Sequence, residues 1–141
     1  MPDQALEPEE LTPEAALRVY AAMINRRDPS RLAPYLADDF HYASQAVYGE
    51  LESAAEYLTY MTGKCATWRK SGKEKWPRAQ MGEQTEEWPG NAGDPCVIIE
   101  QYGSVLANVY VKVAGGKITR LDMCHIAPTP GSAIASGVYP V

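Results

Sequence analysis

Residues 105–126 read VLANVYVKVAGGKITRLDMCHI. Through the first half the side chains alternate: Val105, Ala107, Val109, Val111 and Val113 fall on one face, and Leu106, Asn108, Tyr110 and Lys112 on the other. A period of two marks a β-strand, because successive side chains leave a pleated backbone on opposite sides. Ala114-Gly115-Gly116-Lys117 then reads as a hairpin turn, where adjacent glycines accept the positive φ angles a two-residue loop demands. The chain returns over 118–126, with Thr119, Leu121, Met123 and His125 on one side and Cys124 facing away. Paired across that turn, Asn108 and Tyr110 are expected to share a face with Leu121, Met123 and His125.

Working outward, 76–86 and 96–99 read as further strands around the turn-rich stretch 90–95. Phe40, Tyr42 and Ser44 alternate with His41 and Ala43, which predicts a shorter strand nearer the N-terminus. Helices precede it. Thr12 is placed to cap, Pro13 suits the first helical position, and Leu17, Tyr20, Ala21 and Ile24 recur at helical spacing. Asp28-Pro29 opens a short second element over Leu32, Tyr35 and Leu36, which Pro34 interrupts. Between 50 and 69 a long helix is predicted. Leu51, Ala54, Leu58, Met61, Cys65 and Trp68 step by three and four along its core stripe, and Tyr57 flanks them. Helices first and an antiparallel sheet afterwards predict an α+β architecture in one domain over 12–127. An acidic arm, 1–11, is expected before it. An irregular tail rich in Pro, Gly, Ser and Ala, 128–141, is expected after it.

A chain of 141 residues, 45% hydrophobic and 22% charged, is long enough to bury a core of its own. Nine tyrosines against one phenylalanine point to an amphipathic cavity or interface, since a buried phenol has an apolar body and a polar tip to satisfy. The net charge of −5 argues against nucleic acid or an anionic membrane as partner. Basic residues nonetheless gather at Lys64, Arg69, Lys70, Lys73, Lys75 and Arg78, around the end of the predicted long helix. Three cysteines without CxxC spacing fit reduced, buried thiols, and with no recognisable leader the expected location is cytoplasmic. Two distant histidines give no metal-ligand spacing, so neither metal nor other cofactor is expected.

Several local strings, in order, carry a resemblance. Arg18-Val-Tyr-Ala-Ala-Met-Ile-Asn25 followed by Asp28, then Leu36-Ala-Asp-Asp-Phe40, Gly49 ahead of the long helix, and Gly116-Lys-Ile-Thr-Arg-Leu-Asp122 together resemble the nuclear-transport-factor-2-like (NTF2-like, SnoaL-like) superfamily. The resemblance spans roughly 12–127. It implies a cystatin-like cone in which a curved antiparallel sheet wraps three N-terminal helices around an internal pocket. The superfamily holds isomerases, cyclases, dehydratases, epoxide hydrolases and non-catalytic binding domains, so fold alone leaves function open.

Comparison with the ketosteroid isomerase branch implies candidate roles. Tyr20 matches a helix-1 hydrogen-bond donor and Asn108 a second donor, both aimed at a substrate oxygen. Ser44 occupies the position of that branch's general base and is a poor proton acceptor. His125 is the available substitute, an imidazole suited to proton transfer near neutral pH. Phe40, Tyr42, Ser44, Tyr57, Met61, Tyr110, Leu121 and Met123 would shape the binding wall around a small hydrophobic molecule. The alternatives are a non-catalytic carrier with the same cavity and a dimeric adaptor. Val105, Val109 and Val111, opposite the expected pocket face, suggest a homodimer through the outer face of the sheet.

Overall fold

The computed structural model describes residues 11–46 and 49–141. The acidic arm expected over 1–11 therefore lies, Leu11 apart, outside the described residues. Helix α1 spans Pro13–Arg26. Thr12 Oγ1 accepts from the Ala15 N–H at 3.1 Å, Pro13 sits in the first turn, and Arg27 ends the helix in a left-handed conformation. Its buried face carries Ala16, Leu17, Tyr20, Ala21, Met23 and Ile24. The short element after it is a pair of 3-10 turns, Pro29–Arg31 and Ala33–Tyr35, because Pro34 cannot continue a regular helix.

Strand β1 is Leu36–Ser44 and helix α2 is Ala54–Lys70. The helix starts later than its apolar stripe suggests. Leu51 instead exchanges two backbone hydrogen bonds with Tyr42, and Ser53 then caps the helix by accepting from the Glu56 N–H. Strands β2 (Arg78–Glu83), β3 (Pro95–Gln101), β4 (Ser104–Ala114), β5 (Lys117–Cys124) and β6 (Ile134–Ala135) follow. The six strands form one curled half-barrel sheet in the order β1-β5-β4-β3-β2-β6. Helix α1 packs on β2, β3 and β4, and α2 on β1. None of the helices among the described residues is long and apolar enough to cross a membrane.

The sheet is mixed rather than antiparallel throughout. Strand β1 lies parallel to β5 at one edge. Parallel neighbours need a long crossover between them. Here α2 and the β2–β4 meander supply it, so the first strand ends up beside the fifth and runs the same way.

The β4–β5 hairpin turns through Gly115 and Gly116, both at positive φ, as the sequence suggests. Its register departs from the expected one. Counting back from that turn without interruption would set Tyr110 opposite Leu121 and Asn108 opposite Met123. The observed pairs are Tyr110 with Asp122 and Val109 with Met123, because the ladder shifts by one between Lys112 and Val113. Thr119 is the extra residue, and its Oγ1 donates to the Lys112 carbonyl at 3.2 Å. A one-residue slip exchanges the two faces of a strand. Ala107 and Val109 are consequently in the core, with Val111 and Val113 packed against it. Asn108 and Tyr110 face the outside of the sheet, where Tyr110 packs with Cys96, Cys124 and Ala133. The same slip removes Val109 and Val111 from the face on which a homodimer was expected.

The segment 128–141 is largely irregular but tied down. Ile134 and Ala135 pair with β2, Met81 exchanges backbone hydrogen bonds with Ser136 and Val138, and Gly137 N–H donates to Gln80 Oε1 at 2.8 Å. Asn25, at the end of α1, joins three elements. Its Nδ2 donates to the Ala79 carbonyl at 2.8 Å and the Pro140 carbonyl at 2.6 Å, while its Oδ1 accepts from the Ala79 N–H at 2.8 Å. Removing it leaves those backbone groups unpaired. Asn25→Ala is expected to lower the unfolding free energy by about 2–4 kcal/mol. Urea unfolding measures this, and a loss below about 0.5 kcal/mol, the range of a neutral surface substitution, would contradict it.

Candidate functional site

The concave side of the sheet does not pack shut. Between the helices, the ends of β1 and β5, and the β3–β4 hairpin lies a pocket of about 150 Å³. Helix α1 contributes Tyr20 and Ile24, and α2 contributes Tyr60, Met61, Lys64 and Trp68. Tyr42, Ser44 and Ala46 enter from β1 and its exit, Met123 and His125 from β5 and its exit, and Ile99, Gln101 and Leu106 from the hairpin.

Parallel pairing of β1 and β5 sets Ser44 beside Met123. One step further along, His125 Nε2 comes within 3.3 Å of Ser44 Oγ. Gln45 holds the backbone that carries the imidazole: its Oε1 accepts from the N–H groups of His125 (2.8 Å), Ile126 (2.6 Å) and Ala127 (3.2 Å). Its Nε2 donates to the Ala127 carbonyl at 2.6 Å. A single carboxamide thus replaces the strand partner that β5 lacks beyond Cys124.

Phenols line the other side. Tyr42 stacks at a tilt between Tyr57 and Tyr60, with ring centroids 5.0 and 5.8 Å away, and its hydroxyl donates to Met123 Sδ at 3.6 Å. Burial pushes the phenols of Tyr20, Tyr42 and Tyr57 above their ordinary range, and the neighbouring phenols push the same way. The Tyr20 hydroxyl makes no hydrogen bond within the described protein. Lys64 lies along the rim, its Nζ 5.4 Å from the Tyr60 ring centroid and 5.8 Å from that of Trp68.

Of the residues expected at a site, the structure gathers Tyr20, Tyr42, Ser44, Met61, Met123 and His125 around this pocket. Phe40, Tyr57 and Leu121 lie behind it, fully buried in the core, and the Tyr57 hydroxyl has no partner there. Asn108 and Tyr110 are corrections. Both sit on the far side of the sheet, where Asn108 Nδ2 approaches the Thr129 carbonyl at 3.4 Å and its Oδ1 is buried without a partner. The bulge at Thr119 is the reason. Tyr60, Lys64, Trp68, Gln101, Leu106 and Gln45 were not anticipated. Tyr57, Tyr60, Met61, Lys64 and Trp68 do recur at helical spacing, a row that a strictly apolar reading of α2 splits.

A wider groove of about 420 Å³ lies on the outer side, with Trp88, Lys112, Arg120 and Asp122 among its walls. Its charges are largely matched among themselves. Arg120 donates to Asp122 at 2.9 Å and to Glu50 at 3.1 Å, and Glu50 also meets His41 at 3.0 Å. Those contacts hold the Glu50 carboxyl below its usual range, Arg120 contributing most. Among the described residues no three of His, Cys, Asp and Glu gather as a metal's donor set would.

No protein-family model and no curated protein sequence matches the chain. Solved structures do match its backbone. An NTF2-like protein of unknown function from Cytophaga hutchinsonii superposes with a TM-score of 0.53 at 17% identity, over 79% of this chain and 88% of that one. An LEH-like epoxide hydrolase from M. tuberculosis gives 0.53 at 13% identity, over 84% and 86%. A de novo designed protein with a curved β-sheet gives 0.52 at 16% identity, over 82% and 88%. At such identities the likeness is one of backbone. The chain has the NTF2-like fold, a curled sheet with helices laid in its concave side.

Proposed function

We propose that this chain takes a small, mostly apolar, oxygen-bearing molecule into the pocket and moves a proton on it through His125, with no cofactor. The observation that carries this reading is the His125–Ser44 contact at 3.3 Å, in a pocket that Tyr20 also lines.

The roles follow from the chemistry of each group. An imidazole can take a proton at one position of a ligand and return it at another. The Ser44 hydroxyl can donate to Nε2 or accept from it, so it supports either protonation state during such a transfer. Tyr20 supplies the complementary function. With its phenol held well above the ordinary range by burial, it stays protonated and can donate to an oxygen on which negative charge develops. Ile24, Met61, Ile99 and Met123 surround the ligand body with apolar surface. A cavity of about 150 Å³ admits one benzene-sized ring, as cavities of that size do elsewhere. A fused polycycle would have to project from the mouth. Proton abstraction beside a carbonyl, with isomerisation or elimination as its outcome, is the reaction class these groups suit.

A second reading is a non-catalytic carrier. Two observations favour it: Asn108, the expected second donor, is on the other face, and no carboxylate base lines the pocket among the described residues.

Cyclic enones, hydroxyketones and epoxides of one-ring size provide the assay panel. His125→Gln is expected to lower turnover about 10²–10⁴-fold, and Tyr20→Phe about 10²–10³-fold, with the thermal midpoint of each variant recorded as a folding control. Full activity in His125→Gln would sink the mechanism. Ligand binding with no turnover across the panel would establish the carrier.

The phenols give a separate test. Above about pH 10 the unfolded chain's tyrosines ionise while the buried ones do not. The unfolded state then binds fewer protons, and stability falls as pH rises. Alkaline titration followed by phenolate absorbance is expected to show exposed tyrosines ionising first. Tyr20, Tyr42 and Tyr57 should ionise only together with loss of the far-ultraviolet circular dichroism signal. Full ionisation of all nine tyrosines in a folded protein would contradict the burial described.

A further inference from the structure

We infer that the ligand is an anion: a small carboxylate with one ring or a branched apolar body, its acid group held at the pocket mouth by Lys64. This rests on the pocket reading above and adds the ligand's charge and orientation to it.

The polar groups of the pocket wall are mostly proton donors. Tyr20, Tyr60, Ser44 and Lys64 bring protons to the pocket wall, beside the His125 imidazole. Among the described lining residues there is no carboxylate. Gln101 spends its amide N–H on the Lys75 carbonyl at 2.7 Å, so its Oε1 is the one side-chain carbonyl acceptor among the described lining residues. A wall so rich in donors and so poor in dedicated acceptors suits a ligand that brings acceptors.

The Lys64 amine has no carboxylate within ion-pair distance among the described residues. The Lys64 stem lies beside Tyr60 and Trp68, so its charge stays at the rim while its methylenes cover apolar wall.

Residues 64–78 hold six cations against one carboxylate, in a chain whose net charge is −5. A local reversal of sign along the segment that begins at Lys64 draws anions toward that part of the surface. Carboxylate is favoured over phosphate because Lys64 is the one ammonium or guanidinium among the described lining residues, whereas a dianion calls for several. The acid end would stay at the rim and the apolar end, with any second oxygen, would reach Tyr20 and His125.

Calorimetric titration with benzoate and cyclohexanecarboxylate, against benzamide and cyclohexanone as neutral counterparts, tests the assignment. The His125 ring signals in proton NMR report whether binding is in this pocket. The carboxylates are expected to bind at least about fivefold tighter than their neutral counterparts, with the margin shrinking in high salt. Lys64→Met should erase that margin. Lys70→Met, which removes the same charge from the same helix outside the pocket, should lower it far less. An equal margin in wild type and Lys64→Met overturns the assignment. Neutral compounds binding as well as carboxylates overturns it too while leaving the pocket reading intact, and no perturbation of His125 by either class overturns both.

Discussion

One extra residue in β5 decides what this protein can do with its sheet. Thr119 stands outside the β4–β5 ladder, and the slip it causes pairs Val109 with Met123 and Tyr110 with Asp122. Cross-strand partners share a face, so the valines join Met123 and Leu121 over the helices. The polar residues of β4 go outside with Asp122 and Cys124. Without the bulge, Asn108 and Tyr110 would stand over the helices and four small apolar side chains would face outward. That arrangement would put a carboxamide into the space Val109 now fills without exposure. On the outer side Asn108 is equally buried, but there its Nδ2 has the Thr129 carbonyl at 3.4 Å, and the core position gains the apolar burial of Val109.

The bulge sets the β4–β5 pairing, and His125 reaches the pocket for a different reason. Beyond Lys112 and Arg120 the pairing is regular, so Leu121, Met123 and His125 keep their alternation toward the concave side. Strand β1 meets them in parallel, carrying Ser44 alongside Met123, and the Gln45 carboxamide takes over the backbone donors just past the end of β5. The candidate acid–base pair is therefore a product of long-range topology, formed by residues 81 apart in sequence. Its geometry depends on strand pairing and one side-chain clamp rather than on any local motif.

That division explains how much could be read beforehand. Features set within a few residues were legible: the Thr12-Pro13 start of α1, the glycine turn at 115 and 116, the inward face of α1. So was the concave placement of Met123 and His125, because alternation holds along that stretch. The bulge was not legible, since Thr119 fits a strand as well as its neighbours do. Parallel pairing of β1 was hidden for another reason, as it depends on a partner far along the chain. In α2 the sequence pointed to an apolar stripe, whereas the wall of the pocket is built from phenol, indole and the stem of a lysine. Amphipathic side chains serve a core and a cavity at once, and an apolar-versus-polar tally divides them wrongly.

The tyrosine cluster shows why the pocket persists. Phe40, Tyr42 and Tyr57 form a packed aromatic layer with ring centroids 5.0 Å apart, and Tyr57 leaves its hydroxyl buried without a partner. A phenylalanine there would avoid that cost while keeping the ring. The phenols instead carry polar atoms deep into the concave side, where the Tyr20 hydroxyl stands at the wall of the remaining space. Closing that space with larger apolar side chains would bury the His125 imidazole at a desolvation cost and leave the already buried Tyr20 hydroxyl no room for an oxygen partner. A cavity open to water or to an oxygen-bearing ligand lets both remain satisfied. The same groups that make the pocket chemically useful therefore oppose its collapse, so the incomplete packing between α1, α2 and β5 is a consequence of which side chains face it.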